Sequence, residues 1–192
     1  MRQVTGLALA VFAAAGISLS AQNPSTPGHE AMSMTPIAEA TANIAGEGIT
    51  GTATFKEMKH GDTNVLMVQL TVSGLKPGLH GVHLHAVGKC EPPFTGAGGH
   101  FDPGPAGNPD PDANHPYHFG DLPNLKVGPD GKGELNALTT RALLTDGPTT
   151  LLDADGSAII IHGNPDQGIT GEPKSGVSGG PRVACGVIQA KK

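Results

Sequence analysis

The chain has no tryptophan, one tyrosine and five phenylalanines in 192 residues, so a core built from it must be filled by aliphatic side chains. It is also short of cations, with twelve Lys and Arg against seventeen Asp and Glu and no basic cluster. That balance argues against nucleic acid or an anionic membrane surface as a partner. Helical periodicity is missing throughout. The only extended apolar run, Gly6 to Leu19, is too short to span a bilayer. Cysteine is limited to Cys90 and Cys185; an even count in an exported chain reads as one disulfide, with two buried free thiols as the alternative.

What the chain has in quantity is glycine and proline, 29 and 17, which make much of it turn and loop. Residues 1–20 combine a cation at Arg2, the apolar run and the small-residue end Ser18-Leu19-Ser20, the pattern of a secretory signal peptide cut after Ser20. Such export places the mature protein in the periplasm or outside the cell, with no membrane contact once the signal is gone. An uncleaved anchor is the alternative. Removing the segment takes Arg2 and no acid, making the chain one charge more negative than its formal −5. Residues 21–38, rich in Pro, Ser, Thr, Ala and Met, read as a flexible leader, in which His29, Met32 and Met34 are weak candidates for transient copper contact. Residues 39–192 are then one domain, of a size that can bury a core.

Within it, strand-like segments fall at 40–46, 49–58, 64–73, 80–85, 124–128, 132–139, 157–162 and 183–189, separated by turn signals such as Lys59-His60-Gly61-Asp62. Many short strands without helices predict an antiparallel β-sandwich or β-barrel. Two connections, 88–122 and 163–182, exceed the usual loop length and need something other than sheet hydrogen bonds to hold them.

Most of the nine histidines lie on those loops or at the strand ends that enter them. In the strand ending at residue 85, alternation puts His83 and His85 on one face and His80, Val82 and Leu84 on the other. A lone His-x-His pair is more often a surface feature than a ligand pair. Here it is accompanied by His100, His115, His118, Asp121 and His162, and neutral imidazole with an occasional carboxylate suits copper and zinc.

Five stretches in order, GVHLH (81–85) followed by Cys90, GGHFD (98–102), HFGDLPN (118–124), AIIIHG (158–163) and GPRVACGVI (180–188), resemble the copper/zinc superoxide dismutase family of the bacterial, exported type. The resemblance implies an eight-stranded antiparallel Greek-key β-barrel with a metal-binding and an electrostatic loop. It implies copper held by His83, His85, His100 and His162, and zinc held by His100, His118 and Asp121, with His100 bridging the two. Asp166 matches a carboxylate that hydrogen-bonds metal-ligating histidines from behind, Arg182 matches the guanidinium beside the open copper position, and Cys90 with Cys185 match the family disulfide. His80 matches a histidine that bonds backbone.

The implied activity is dismutation of superoxide to dioxygen and hydrogen peroxide by copper redox cycling, since zinc has no accessible redox change. In the family the bridging imidazole, here His100, leaves reduced copper with a proton that it then returns. Arg182, with Lys174 as a lesser candidate, would attract the anionic substrate. The chain departs from the pattern where the second zinc histidine usually lies, which is Asn108 here. His115 is the expected replacement, with Asp110 and Asp112 as competitors. Family members of this type occur as monomers and as homodimers. The competing functions are a periplasmic copper carrier without turnover and a metal-free interaction domain.

Overall fold

The computed structural model describes residues 35–104, 110–113 and 118–192. The signal segment, the leader up to Met34, Asn108 and His115 therefore lie outside the described residues. The strands are β1 (Pro36–Gly46), β2 (Ile49–His60), β3 (Thr63–Ser73), β4 (Gly78–His80), β5 (Val82–His85), β6 (Leu125–Val127), β7 (Lys132–Thr139), β8 (Ala158–His162), β9 (Arg182–Val187) and β10 (Gln189–Ala190). β1 begins inside the span read as leader. Among the described residues the one helix is a 3-10 turn, Thr95–Ala97.

All strand pairs are antiparallel, in the order β4-β6-β7-β3-β2-β1-β9-β8-β5, with β10 beside β1. The two ends of that order, β4 and β5, are joined through the single residue Gly81, so the sheet curls into a nearly closed barrel. Closure leaves little open edge for another chain to pair with. The path holds nine strands rather than the expected eight, because the strand carrying the histidine pair changes partner halfway. β4 pairs with β6, whereas Gly81 bonds the 162–164 backbone and β5 pairs with β8.

The interior is aliphatic, as the scarcity of aromatics requires. Leu66, Val68, Leu70, Leu84, Leu125, Ile159 and Ile161 are fully buried, and Phe55 and Phe101 are the phenylalanines of this core. β5 and β8 are buried on both faces. Val82, Leu84, Ile159 and Ile161 point into the barrel; Ala158 and Ile160 pack outside it with Phe94, Ala97 and Cys185. Alternation therefore sends His83, His85 and His162 to the outside of the barrel wall, beneath the long connections.

Besides the two long connections expected, a third spans residues 140–157 between β7 and β8. It crosses from one part of the barrel to another as a Greek-key connection does. It is held by a carboxylate: the fully buried Glu57 accepts hydrogen bonds from Asn64 Nδ2 (2.6 Å), Leu144 N (2.7 Å), Thr145 N (2.8 Å) and Thr145 Oγ1 (2.7 Å).

Candidate metal centre

The outer edge of β5 is covered by the 86–124 connection, which lies along it like a partial strand. Phe101 N bonds Leu84 O at 2.8 Å, Leu84 N bonds Gly120 O at 2.9 Å, and isolated bridges set His100 opposite His85 and Asp121 opposite His83. Gly120 is required there, since a Cβ at that position would sit 2.3 Å from the Leu84 carbonyl oxygen. The backbone thus delivers His100 and Asp121 to the strand that carries His83 and His85. His162 arrives from β8, where a register shift between Ile161 and His162 brings His162 N against Gly81 O at 2.8 Å.

Among the described residues two groups of side chains result, each with ligand atoms within 4.8 Å of one another: His83, His85, His100 and His162, and His100, His118 and Asp121. All of these side chains are buried. His100 belongs to both groups. Its ring stacks on His83 with centroids 3.9 Å apart, its Nδ1 donates to Asp121 Oδ1 at 2.7 Å, and Asp121 Oδ2 lies 3.4 Å from His118 Nδ1. A tetrahedral zinc with bonds near 2.0–2.1 Å separates its ligand atoms by about 3.3 Å; the 3.4 Å between Asp121 and His118 suits the ion, and the 2.7 Å between His100 and Asp121 is the hydrogen bond that zinc would replace.

The hydrogen bonds behind the rings fix which nitrogen faces the cluster. His85 Nδ1 donates to Gly98 O (3.1 Å), His162 Nδ1 to Gly180 O (3.0 Å), and His83 Nε2 to Asp166 Oδ2 (2.9 Å). Among the described residues, buried His85 Nε2 and His162 Nε2 find no hydrogen-bond partner, an arrangement that costs stability unless a ligand takes the lone pairs. Burial, reinforced by neighbouring histidines, pushes His85 and His162 well below the usual imidazole range, and burial with His83 nearby takes His100 to about 3. The rings are thus neutral, the form that binds metal. Burial would raise Asp121, but hydrogen bonds from His100 and His118 outweigh it and keep the carboxylate ionised. Four imidazoles fit copper; two imidazoles and a carboxylate fit zinc.

Arg182 opens β9 beside this cluster, half-buried. Its Nη1 donates to Phe94 O (2.7 Å) and its Nη2 to Gly98 O (2.5 Å), the same carbonyl that receives His85 Nδ1. Burial lowers its pKa from an ordinary value far above neutrality. Cys90 and Cys185 form the expected disulfide, with Cα atoms 5.5 Å apart. His80 stays out of both groups, with ring nitrogens 2.8 Å from His162 O and 2.9 Å from Lys76 O, and His60 is exposed at the end of β2.

The acids considered as zinc ligands are engaged elsewhere. Asp112 Oδ1 accepts from Ser178 N (2.9 Å) and Oγ (2.6 Å), and its Oδ2 accepts from Gly176 N (2.7 Å). Asp110 Oδ1 accepts from Asp112 N (3.0 Å) and Lys174 N (3.3 Å). Burial would raise Asp112, yet the Ser178 and Gly176 hydrogen bonds hold it below the usual carboxylate range. Sequence spacing carries no sign of these links, nor of Asn124, whose amide grips both backbone groups of Asp166 (Nδ2 to O, 2.7 Å; N to Oδ1, 2.8 Å).

The family model for copper/zinc superoxide dismutase (SODC) matches residues 49–188. A relative named Superoxide dismutase [Cu-Zn] from Deinococcus radiodurans is 46% identical over 153 residues, 74% of this chain and 78% of that protein. Another of the same name from Caulobacter vibrioides is 39% identical over 158 residues, covering 78% of this chain and 85% of its own. Among solved structures, a SOD-like protein from Bacillus subtilis superposes with a TM-score of 0.64 at 33% identity, covering 78% of this chain and 97% of that one. A family match across most of the described barrel, with relatives this similar over most of both chains, makes this chain a member of the copper/zinc superoxide dismutase family.

Proposed function

We propose that the protein dismutates superoxide at a copper ion held by His83, His85, His100 and His162, next to a zinc ion held by His100, His118, Asp121 and His115. The observation that carries this reading is the membership of His100 in both ligand groups. A copper carrier needs neither an imidazole shared with a second metal nor a guanidinium beside the cluster, and a metal-free interaction domain needs no cluster at all.

Copper, when bound, supplies the one-electron exchange that oxidises one superoxide to dioxygen and reduces the next to hydrogen peroxide. The chain's own groups do the rest. Asp166 and the carbonyls of Gly98 and Gly180 hold the ligand rings in orientation. His100, whose Nδ1 lies beside Asp121 on the zinc side, would hold at Nε2 one of the two protons that the second superoxide needs, the other coming from water. Arg182 supplies a permanent cation for the anion. On the same reading, residues 1–20 are a signal removed after Ser20, residues from 21 up to the start of β1 a leader, and the mature domain is periplasmic or secreted. The disulfide and the bacterial relatives are consistent with an exported protein.

The decisive experiment is superoxide removal by copper- and zinc-loaded protein against a metal-stripped sample, with His115→Ala and His162→Ala in parallel. Loaded wild type should be active and the stripped sample inactive. Metal analysis after dialysis against a mild chelator should show zinc lost and copper retained in His115→Ala, and copper lost in His162→Ala. A loaded protein that binds copper yet does not remove superoxide would favour the carrier. Full zinc in His115→Ala would place the fourth zinc ligand elsewhere.

A further inference from the structure

The 163–181 connection lacks regular strands, yet its last residues bear directly on the four-histidine group. Gly180 O receives His162 Nδ1–H, and a Cβ on Gly179 would lie 2.7 Å from His162 Cβ, so the backbone here is the wall against which that ring rests. The same segment folds back on the loop's first half. Gly163 N bonds Pro181 O (2.7 Å), Asn164 N bonds Gly179 O (3.0 Å), Gln167 N bonds Val177 O (2.8 Å), and Ser178 stands opposite Asp166. One short hairpin thus touches both His162 and the carboxylate behind His83.

Little apolar burial holds this hairpin down, since residues 167–170 and 172–175 are exposed. What grips it is the other loop. Asp112, 4% exposed, takes Gly176 N–H on one carboxylate oxygen and Ser178 N–H and Oγ–H on the other, while its carbonyl takes Gly171 N–H at 2.9 Å. Asp110 adds Lys174 N–H, at a residue whose φ of 60° lies in the left-handed region. Hydrogen bonds to an ionised carboxylate are stronger than neutral ones, and without them the buried Ser178 N–H has lost its acceptor.

We propose that Asp112 is a positioning residue for the four-histidine group. By fixing Gly176 and Ser178 it sets the Gly180 carbonyl that orients His162 and the backbone facing Asp166, and so couples the loop carrying His100 and His118 to the rings on the opposite side. The proposal rests on the reading of the two groups as copper and zinc sites, and its readouts are independent of turnover.

The test compares copper- and zinc-loaded wild type, Asp112→Ala, Ser178→Ala and Glu57→Gln by amide hydrogen exchange over 171–181, by copper electron paramagnetic resonance and by metal content. Asp112→Ala should retain copper, exchange its 176–179 amides on the order of ten- to a hundredfold faster, and show a shifted copper spectrum. Ser178→Ala keeps both backbone donors and should resemble wild type. Glu57→Gln should lower the melting temperature while changing neither readout, which separates positioning from general destabilisation. If Asp112→Ala does not fold, Asp112→Asn sets an amide NH2 against Gly176 N–H and should speed exchange around Gly176 more than at Ser178. Wild-type exchange in the 112 variants, or faster exchange with an unchanged copper spectrum, overturns the proposal. Loss of zinc with both readouts unchanged would make Asp112 a zinc ligand and overturns it too.

Discussion

On the proposed function Arg182 has two duties that a single substitution would confound. Its charge lies near enough to act on His85 and His162, on a protein whose formal charge is −5, so any attraction of superoxide has to come from a local positive field. Its planar fork also clamps two carbonyls of the 94–98 segment, one of them the acceptor for His85. Lysine keeps the charge and cannot reproduce the fork; glutamine removes the charge. Arg182→Lys should retain a rate that falls with ionic strength while losing roughly 1–3 kcal/mol of stability from the broken charged hydrogen bonds. Arg182→Gln should lose severalfold or more in second-order rate at low salt and show a flatter salt dependence, measured by stopped flow with copper content checked. An unchanged rate and slope in Arg182→Gln would remove Arg182 from substrate capture.

β2 ends its inward-facing row, Ala53 and Phe55, with a carboxylate, Glu57, where an apolar residue would be expected. The reason is the 140–157 connection, whose Leu144 and Thr145 amides would otherwise lack partners. Burial alone would raise Glu57, but the hydrogen bonds from Thr145, Leu144 and Asn64 outweigh it, so the net shift is downward. Because the folded form holds the proton less tightly than the unfolded one, ionised Glu57 stabilises the fold above the ordinary value of 4.5, and this contribution fades as pH falls through the lower folded value. Glu57→Gln should cost about 1–3 kcal/mol at neutral pH and make the loss of melting temperature between pH 5 and pH 3, read by calorimetry, shallower than in wild type by roughly this one group's share. Identical acid slopes in the two proteins would show that Glu57 does not titrate with unfolding.

Across the whole molecule, the barrel closes covalently at Gly81, and the disulfide then ties the longest connection to β9 over a sequence separation of 95. In the chain-entropy account a loop of that length contributes about 4 to 5 kcal/mol by restricting the unfolded chain. The double variant Cys90→Ala/Cys185→Ala should show that order of loss in urea unfolding, and the denatured, unreduced wild type should contain no free thiol. Detection of two thiols would mean that the bridge is absent from the protein as isolated.

Local spacing in the sequence determined what depends on neighbours along the chain. Two-residue alternation separated His83 and His85 from His80, the turn residues delimited most strands, and the ordered stretches around His100, His118, His162 and Cys185 pointed to the family. The scarcity of aromatics announced the aliphatic core. Tertiary structure decided what depends on residues far apart in the chain. Gly81 breaks one expected strand into two because its backbone is claimed by residues 162–164. Glu57 and Asp112 take partners 87 and 66 residues away, and a carboxylate between turn residues looks the same in sequence whether it binds metal, water or a distant amide. His100 could be shared by two groups only once the 86–124 connection lay along β5, because a ligand set is a property of distances in space and sequence order does not contain them.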